Sequence, residues 1–286
     1  MPDQTLTFAS NVDAFPLTAY VWKASATPRA TVFIAHGAAE HSLRYDRFAR
    51  ALNAAGFEAW AIDHRGHGAS PGPDGLGDFG EGGWDALVAD IRQLVDMARA
   101  ANPGLPIALL GHSMGAAAAQ QWAPDHSRVI DALILSGSTL REPPTEGQQP
   151  PAFAPNQAFE PARTPYDWLS RDQAEVDKYI ADPMCGFESQ RARRPGLRAN
   201  PFQLNDPEQL KKIRADLPVL LVAGDADPIN EGLAGLQRLE DRWRGAGVRR
   251  IDRQVYPGGR HEMLNETNRD EVTANIVQWI DDMLGP

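Results

Sequence analysis

The sequence predicts an α/β protein, a mostly parallel β-sheet flanked by helices and interrupted once by an inserted lid. Three observations predict this class. Apolar runs typical of buried strands alternate with amphipathic runs typical of helices along most of the 286 residues. A Gly-x-Ser-x-Gly motif, residues 111–115, lies between one such strand and the next helix. The alternation stops at residues 141–165, which contain seven prolines.

The alternation before the insertion begins and ends with a strand. Short apolar runs predict the strands, and apolar residues that recur every three or four positions predict the helices. In chain order, the predicted elements are strand 17–22, strand 31–35, helix 45–55, strand 57–62, helix 84–100, strand 107–110, a helix from Met114, and strand 132–135.

The proline-rich segment cannot be a core strand or helix, because proline lacks a backbone N–H and fixes its φ angle. Aromatic residues within and just after it favour an ordered lid over a linker. We therefore expect a core made of residues 1–136 and 208–286, with residues 137–207 as a lid. The later elements are helix 166–180, strand 219–223, helix 233–243, strand 251–256 and a helix at about 270–284.

Composition excludes several classes of partner. The net charge of −10 argues against nucleic acid and against anionic membranes, since both attract basic surfaces. The single cysteine, Cys185, cannot form an intrachain disulfide and has no C-x-x-C partner, so we expect no redox or metal role for it. The first residues show no secretory signal and no run of apolar residues is long enough for a membrane span. We expect a cytoplasmic protein without stable membrane insertion.

Ser113 is the candidate nucleophile, because it falls at the predicted turn between a strand and a helix. A serine hydroxyl needs a base to take its proton and an acid to orient that base. In proteins with this motif the acid follows a late strand and the histidine follows the last one. His261 is the only histidine after residue 126, which makes it the candidate base. Asp225 and Asp227 both follow strand 219–223 and are alternatives for the acid.

Two backbone N–H groups are candidates for binding the oxyanion of a tetrahedral intermediate. One belongs to Met114, directly after the nucleophile, and the other to Ala38 in the loop HGAAEH after strand 31–35. Gly37 allows the backbone of that loop to approach closely. His36, Glu40 and His41 flank the two sides of this loop, and we expect them to hold its backbone.

The remaining histidines are expected to be structural. His64 and His67 form an H-x-x-H pair in DHRGHG, but the pair lies in a glycine-rich turn and lacks a third ligand at a plausible spacing. His112 precedes the nucleophile and is expected to point back into the structure. We therefore predict no metal site and no organic cofactor.

Five stretches together resemble the monoacylglycerol lipase and lysophospholipase group of α/β hydrolases, which is also catalogued as serine aminopeptidase-like. They are HGAAEHSLRYDRFARAL, DHRGHGASPG, GHSMGAA, GDADPIN and YPGGRHEMLNE. The resemblance covers the core on both sides of the insertion, and it implies the α/β-hydrolase fold. It also implies that Ser113 is the nucleophile, His261 the base, and Ala38 and Met114 the oxyanion donors.

The resemblance further implies that Asp227 is the acid, because the family places this residue third after the glycine that ends the strand, here Gly224. The lid departs from the family pattern. Lipases of this group carry an apolar helical cap, whereas residues 141–165 are proline-rich and polar. We expect Phe153, Phe159 and Trp168 to form a fixed apolar wall over the Ser113 pocket, which favours short or medium acyl chains.

These observations predict a serine carboxylester hydrolase that acts on monoacylglycerol-like or other small esters through an acyl-enzyme on Ser113. The implied partner is a small-molecule ester, and the oligomeric state is left open. An aminopeptidase is one alternative, but it needs clustered carboxylates, and Glu142, Glu146 and Glu160 are scattered along the lid. A non-catalytic ligand-binding protein on a hydrolase fold is the other alternative.

Overall fold

The computed structural model describes residues 1–142, 154–187, 204 and 206–285. The strands in this part of the chain form one eight-stranded sheet in the order β1-β2-β4-β3-β5-β6-β7-β8. They are β1 Gln4–Ala9, β2 Pro16–Trp22, β3 Ala30–Ala35, β4 Phe57–Asp63, β5 Ile107–His112, β6 Ala132–Ser136, β7 Val219–Gly224 and β8 Ile251–Tyr256. β1 and β2 are antiparallel to their neighbours, and all pairs from β4 to β8 are parallel.

Helices cover both faces of the sheet, so every residue of the central strands β3 to β7 is buried. The helices are α1 Asp46–Ala54, α2 Gly83–Ala101, α3 Met114–His126, α4 Gln173–Ala181, α5 Pro207–Leu210, α6 Ala234–Gly245 and α7 Arg269–Leu284. One core cluster joins the sheet to α2, α3 and α6. The other joins the opposite face to α1 and α7. The predicted α/β fold class is confirmed.

Two elements differ from the sequence prediction. β1 was not predicted, because its alternating threonines leave it largely exposed at the sheet edge. The helix predicted over 166–180 is wrong in its first half, since α4 begins only after Asp172. The Asp172 carboxylate accepts hydrogen bonds from the N–H groups of Ala174 and Glu175 and so caps the helix start. None of the helices in the described ranges combines the length and apolar character that a bilayer crossing requires.

The loop after β4 is anchored by a completely buried arginine, Arg65. Its Nε donates to Asp90 Oδ2 of α2 at 2.8 Å, and its Nη1 donates to Asp13 Oδ2 at 2.8 Å. Nη2 reaches Ser10 Oγ at 3.0 Å. This one side chain therefore joins the turn between β1 and β2, the loop after β4 and helix α2.

Candidate active site

Ser113 occupies the sharp turn between β5 and α3. Its φ of 51° and ψ of −110° lie in a region that side chains rarely adopt. The turn is tight because α3 packs directly on β3, and a Cβ on Gly115 would lie 2.1 Å from the Ala35 carbonyl oxygen. The Ser113 N–H donates to the carbonyl of Ser136 at the end of β6, at 2.9 Å. This geometry presents the serine at the carboxyl edge of the sheet.

His261 lies in the loop after β8 and pairs with Asp227 from the loop after β7. His261 Nδ1 is 2.9 Å from Asp227 Oδ2, and both side chains are buried. Because the carboxylate can only accept, Nδ1 carries the proton and Nε2 keeps its lone pair. Burial opposes a charge on the ring, but Asp227, together with Glu262 and Glu40, outweighs burial and raises the pKa of His261 above its usual value.

The two candidate acids have different surroundings. Asp227 Oδ1 accepts from the Ile229 N–H at 2.9 Å, which orients its other oxygen toward the imidazole. Asp225 is exposed, and its Oδ1 accepts from the Gly258 N–H at 2.6 Å. The contact with His261 therefore favours Asp227.

Ser113 and His261 each lie beside the turn that follows β6. The Ser136 carbonyl holds the serine backbone, and the next residue, Gly137, lies against the imidazole. A Cβ on Gly137 would be 2.9 Å from Cε1 of both His112 and His261, so this position has no room for a side chain. The ring of His112 packs on that of His261 with centroids 4.9 Å apart. The predicted nucleophile and the predicted base thus both border residues 136–137 at the end of β6.

The loop that carries Ala38, one of the predicted oxyanion donors, is held from both sides of Gly37. His36 Nε2 accepts from the backbone N–H of His64 at 3.0 Å, so Nδ1 carries the proton and donates to the Gly37 carbonyl at 2.7 Å. On the other side, the Gly37 N–H donates to Glu40 Oε1 at 2.5 Å. Within the described ranges, the backbone N–H groups of Ala38 and Met114 donate a hydrogen bond to no acceptor of the protein.

A buried ion network, which sequence reasoning missed, supports this loop. Arg44 donates to Glu40 Oε2 at 2.5 Å and to both oxygens of Glu262 at 2.6 and 2.7 Å. Burial alone would raise the pKa of Glu40, but Arg44 lowers it to about 2. The Tyr45 hydroxyl also donates to Glu40, at 2.9 Å. The four-residue spacing of Glu40 and Arg44 could have indicated their ion pair. The pair of Arg44 with Glu262 gives no such local signal, because the two residues lie 218 positions apart.

The described part of the predicted lid contacts the predicted base, His261, directly. The rings of Trp168 and His261 lie 4.8 Å apart, and the Glu262 N–H donates to the Leu169 carbonyl at 2.8 Å. Phe159 instead lies under the guanidinium of Arg260, 4.1 Å from its central carbon. Phe153 is outside the described residues. An acyl-binding role for these aromatic residues stays a prediction.

His64 and His67 pack beside His36, and His112 packs beside His261. The rings of His64 and His67 lie 4.6 and 5.3 Å from His36, whose two nitrogens are both bonded to backbone groups and therefore cannot ligate a metal. Burial, with the neighbouring His261, lowers the pKa of His112 to about 4, so this ring stays neutral. His112 is expected from the sequence to point back into the structure; its side chain is buried, and its ring packs against that of His261.

Two of the carboxylates considered for an aminopeptidase, Glu142 and Glu160, have separate partners in the described part of the chain. Glu142 lies 3.6 Å from Arg242, and Glu160 accepts from the Ala162 N–H within its own turn. Glu146 is outside the described residues.

The profile of the family described as "Serine aminopeptidase, S33" matches residues 26–268. The monoacylglycerol lipase of Mycolicibacterium smegmatis is 33% identical over 270 residues, which cover 91% of each chain. The human monoglyceride lipase is 32% identical over 98% of this chain and 90% of its own. A solved carboxyl esterase from Bacillus coagulans, in complex with glycerol, superposes with a TM-score of 0.86 at 28% identity and 99% coverage of both chains.

The fold and these relatives define a serine carboxylester hydrolase of the α/β-hydrolase class. Within that class, the chain belongs to the serine aminopeptidase S33 family, in the branch that contains the monoacylglycerol lipases.

Proposed function

We propose that the protein hydrolyses monoacylglycerols and similar small carboxylic esters, with Ser113 as nucleophile, His261 as base and Asp227 as the acid that orients the base. The observation that carries this proposal is the 2.9 Å contact between His261 Nδ1 and Asp227 Oδ2 beside the strained turn at Ser113. The printed names of the relatives support the substrate class.

In the acylation step, His261 Nε2 takes the proton of the Ser113 hydroxyl as its oxygen attacks the ester carbonyl carbon. The carbonyl oxygen becomes an oxyanion, and the backbone N–H groups of Ala38 and Met114 stabilise it. When the tetrahedral intermediate collapses, the bond to the alcohol oxygen breaks, and His261 returns the proton to that oxygen. The alcohol leaves, and the acyl group stays on Ser113.

Deacylation repeats these steps with water as the nucleophile. His261 takes a proton from water, whose oxygen attacks the acyl carbon, and the second intermediate expels the Ser113 oxygen. His261 returns the proton to the serine, and the carboxylic acid departs. Asp227 stabilises the imidazolium in both halves of the cycle without itself becoming protonated.

We also propose that residues 137–207 act as a lid whose aromatic residues shape the acyl site. The contact of Trp168 with His261 supports this role, because it brings the lid to the reacting groups.

A fluorophosphonate probe and a substrate panel test the proposal. The probe should label the wild type and not Ser113→Ala, and the same substitution should lower ester turnover about 10⁴-fold. The panel pairs monoacylglycerols and p-nitrophenyl esters with an aminoacyl anilide, and we expect hydrolysis of the esters alone. Labelling of Ser113→Ala, or faster cleavage of the anilide than of any ester, would contradict the proposal.

A further inference from the structure

In the described part of the chain, one cluster of side chains of metal-ligating types has no part in the proposed reaction. It consists of His41, from the loop after β3, and of Asp182 and Cys185, from the turn after α4. One donor atom from each side chain lies within 4.8 Å of the other two. We propose that these three residues bind one divalent transition-metal ion, with Zn²⁺ as the best fit.

The turn after α4 is shaped like half of a zinc site. The Cys185 N–H donates to the Asp182 carbonyl at 3.0 Å, and Gly186 follows with a φ of +67°. Paired zinc ligands are commonly spaced as C-x₂-C in such turns, and here Asp182 occupies the first ligand position. Asp182 Oδ1 accepts from the Met184 N–H at 2.8 Å, while Oδ2 faces His41 Nε2 at 2.9 Å. The turn therefore leaves one carboxylate oxygen and the thiol for an ion.

The donor set selects among metals. Imidazole nitrogen, thiolate sulfur and carboxylate oxygen are the three ligand types that Zn²⁺ takes in proteins, with water in a fourth position. Mg²⁺ and Ca²⁺ prefer sites made of oxygen alone. His41 and Cys185 are buried, while the Asp182 side chain is 29% exposed and gives an ion a path from solvent. We therefore expect Zn²⁺ and Co²⁺ to bind, and Mg²⁺ not to bind.

Charge and protons balance when the ion binds. The Cys185 thiol loses its proton to solvent as the metal–sulfur bond forms, because the thiolate is the ligand. The His41 proton moves from Nε2 to Nδ1, which frees the Nε2 lone pair for the metal without further release. Thiolate and carboxylate then neutralise the two charges of the ion. Arg44, which interacts with Cys185, is already paired with Glu40 and Glu262.

The site would join the lid to the oxyanion loop. The turn already reaches this loop through the Gly186 N–H, which donates to the Ala39 carbonyl at 2.9 Å. The Tyr179 hydroxyl of α4 donates to the same carbonyl at 2.8 Å. Ala39 follows the proposed oxyanion donor Ala38, so an ion between His41 and Cys185 would restrain the loop and raise the melting temperature.

Cobalt absorption tests the site directly, because a bond between Co²⁺ and a thiolate gives a charge-transfer band in the near ultraviolet. Cys185 is the single cysteine of the chain, so any such band must come from it. The full chain is treated with chelator, titrated with Co²⁺, and then titrated with Zn²⁺ in competition. We expect one ion per chain, a cobalt–sulfur band that Zn²⁺ removes, and a higher melting temperature with either metal.

Substitutions separate this site from accidental binding. Cys185→Ser should abolish the band. His41→Gln and Asp182→Asn should each weaken Zn²⁺ binding more than loss of an outer-shell partner does, which costs about 10- to 100-fold in affinity. His126→Gln is the matched control, since this histidine lies in α3 away from the cluster and should leave binding unchanged. Absence of the band at saturating Co²⁺, or Zn²⁺ binding as tight in Cys185→Ser and His41→Gln as in the wild type, would overturn the proposal. Melting curves without metal show whether each variant is folded.

Discussion

At the scale of single residues, the two neighbouring aspartates after β7 give a matched test of the catalytic acid. Asp227→Asn should lower kcat by about 10⁴-fold, because the imidazole loses its correct tautomer and the charge that stabilises imidazolium. Asp225→Asn should stay close to the wild type, since the amide oxygen can still accept from the Gly258 N–H. Steady-state kinetics on a p-nitrophenyl ester measure kcat for both variants. A larger loss of kcat in Asp225→Asn than in Asp227→Asn would make Asp225 the acid.

The pH dependence of kcat/KM tests the proposed role of His261, which can act as a base only when it is neutral. Asp227 raises the pKa of this histidine above 6.5 although burial opposes it, so activity should fall with decreasing pH through a midpoint above 6.5. In Asp227→Asn the charge is lost while burial remains, so the midpoint of the residual activity should move to lower pH. An unmoved midpoint would mean that another group controls this limb.

The same pKa shift has a consequence for stability. Protonation of His261 stabilises the fold, because its pKa is higher in the folded state. This stabilisation is fully present at pH values below the pKa of an unfolded histidine, and it is lost as pH rises through the pKa of the folded state.

At the scale of elements, the lid is where substrate preference can be tested. Trp168→Ala should change the kcat/KM ratio for butyrate and dodecanoate esters by about tenfold, because an aromatic ring in contact with substrate contributes about 1.5 to 3 kcal/mol. Phe159→Ala should have a smaller effect, since Arg260 covers one face of its ring. Melting temperatures serve as the control for both variants. Equal losses on the two esters would mean that Trp168 acts through His261 and does not line the acyl site.

At the scale of the whole molecule, Arg65 joins three segments that are distant in the sequence. Arg65→Met should destabilise the protein by about 3 to 5 kcal/mol, because it leaves the Asp90 carboxylate buried without its ion-pair partner. The control is Arg50→Met, which removes an exposed pair with Asp46 and should cost less than about 1 kcal/mol. Urea unfolding measures the free energy of unfolding of both variants. Similar losses in the two variants would show that the Arg65 network adds little to stability.

The sequence predicted the parts of the molecule that depend on local patterns. The central strands were predicted because apolar runs buried on both faces are hard to mistake, while β1 was missed because its threonines alternate with other residues and leave it largely exposed at the edge. Ser113 was identified in the same way, since motif and strand boundary coincide there. The contacts of Arg44 with Glu262 and of Trp168 with His261 were not predicted, because nothing in the local sequence indicates which distant segments will pack together.

The backbone angles of Ser113 lower the stability of the fold at the residue proposed as the nucleophile. A side chain held at a φ of 51° and a ψ of −110° costs on the order of 1 to 3 kcal/mol, which a glycine would not incur. Ser113→Gly should therefore unfold at a higher urea concentration than Ser113→Ala, although neither variant can form an acyl-enzyme. If Ser113 is the nucleophile, as proposed, the protein keeps its reactive hydroxyl at a cost in stability that the inactive glycine variant does not carry.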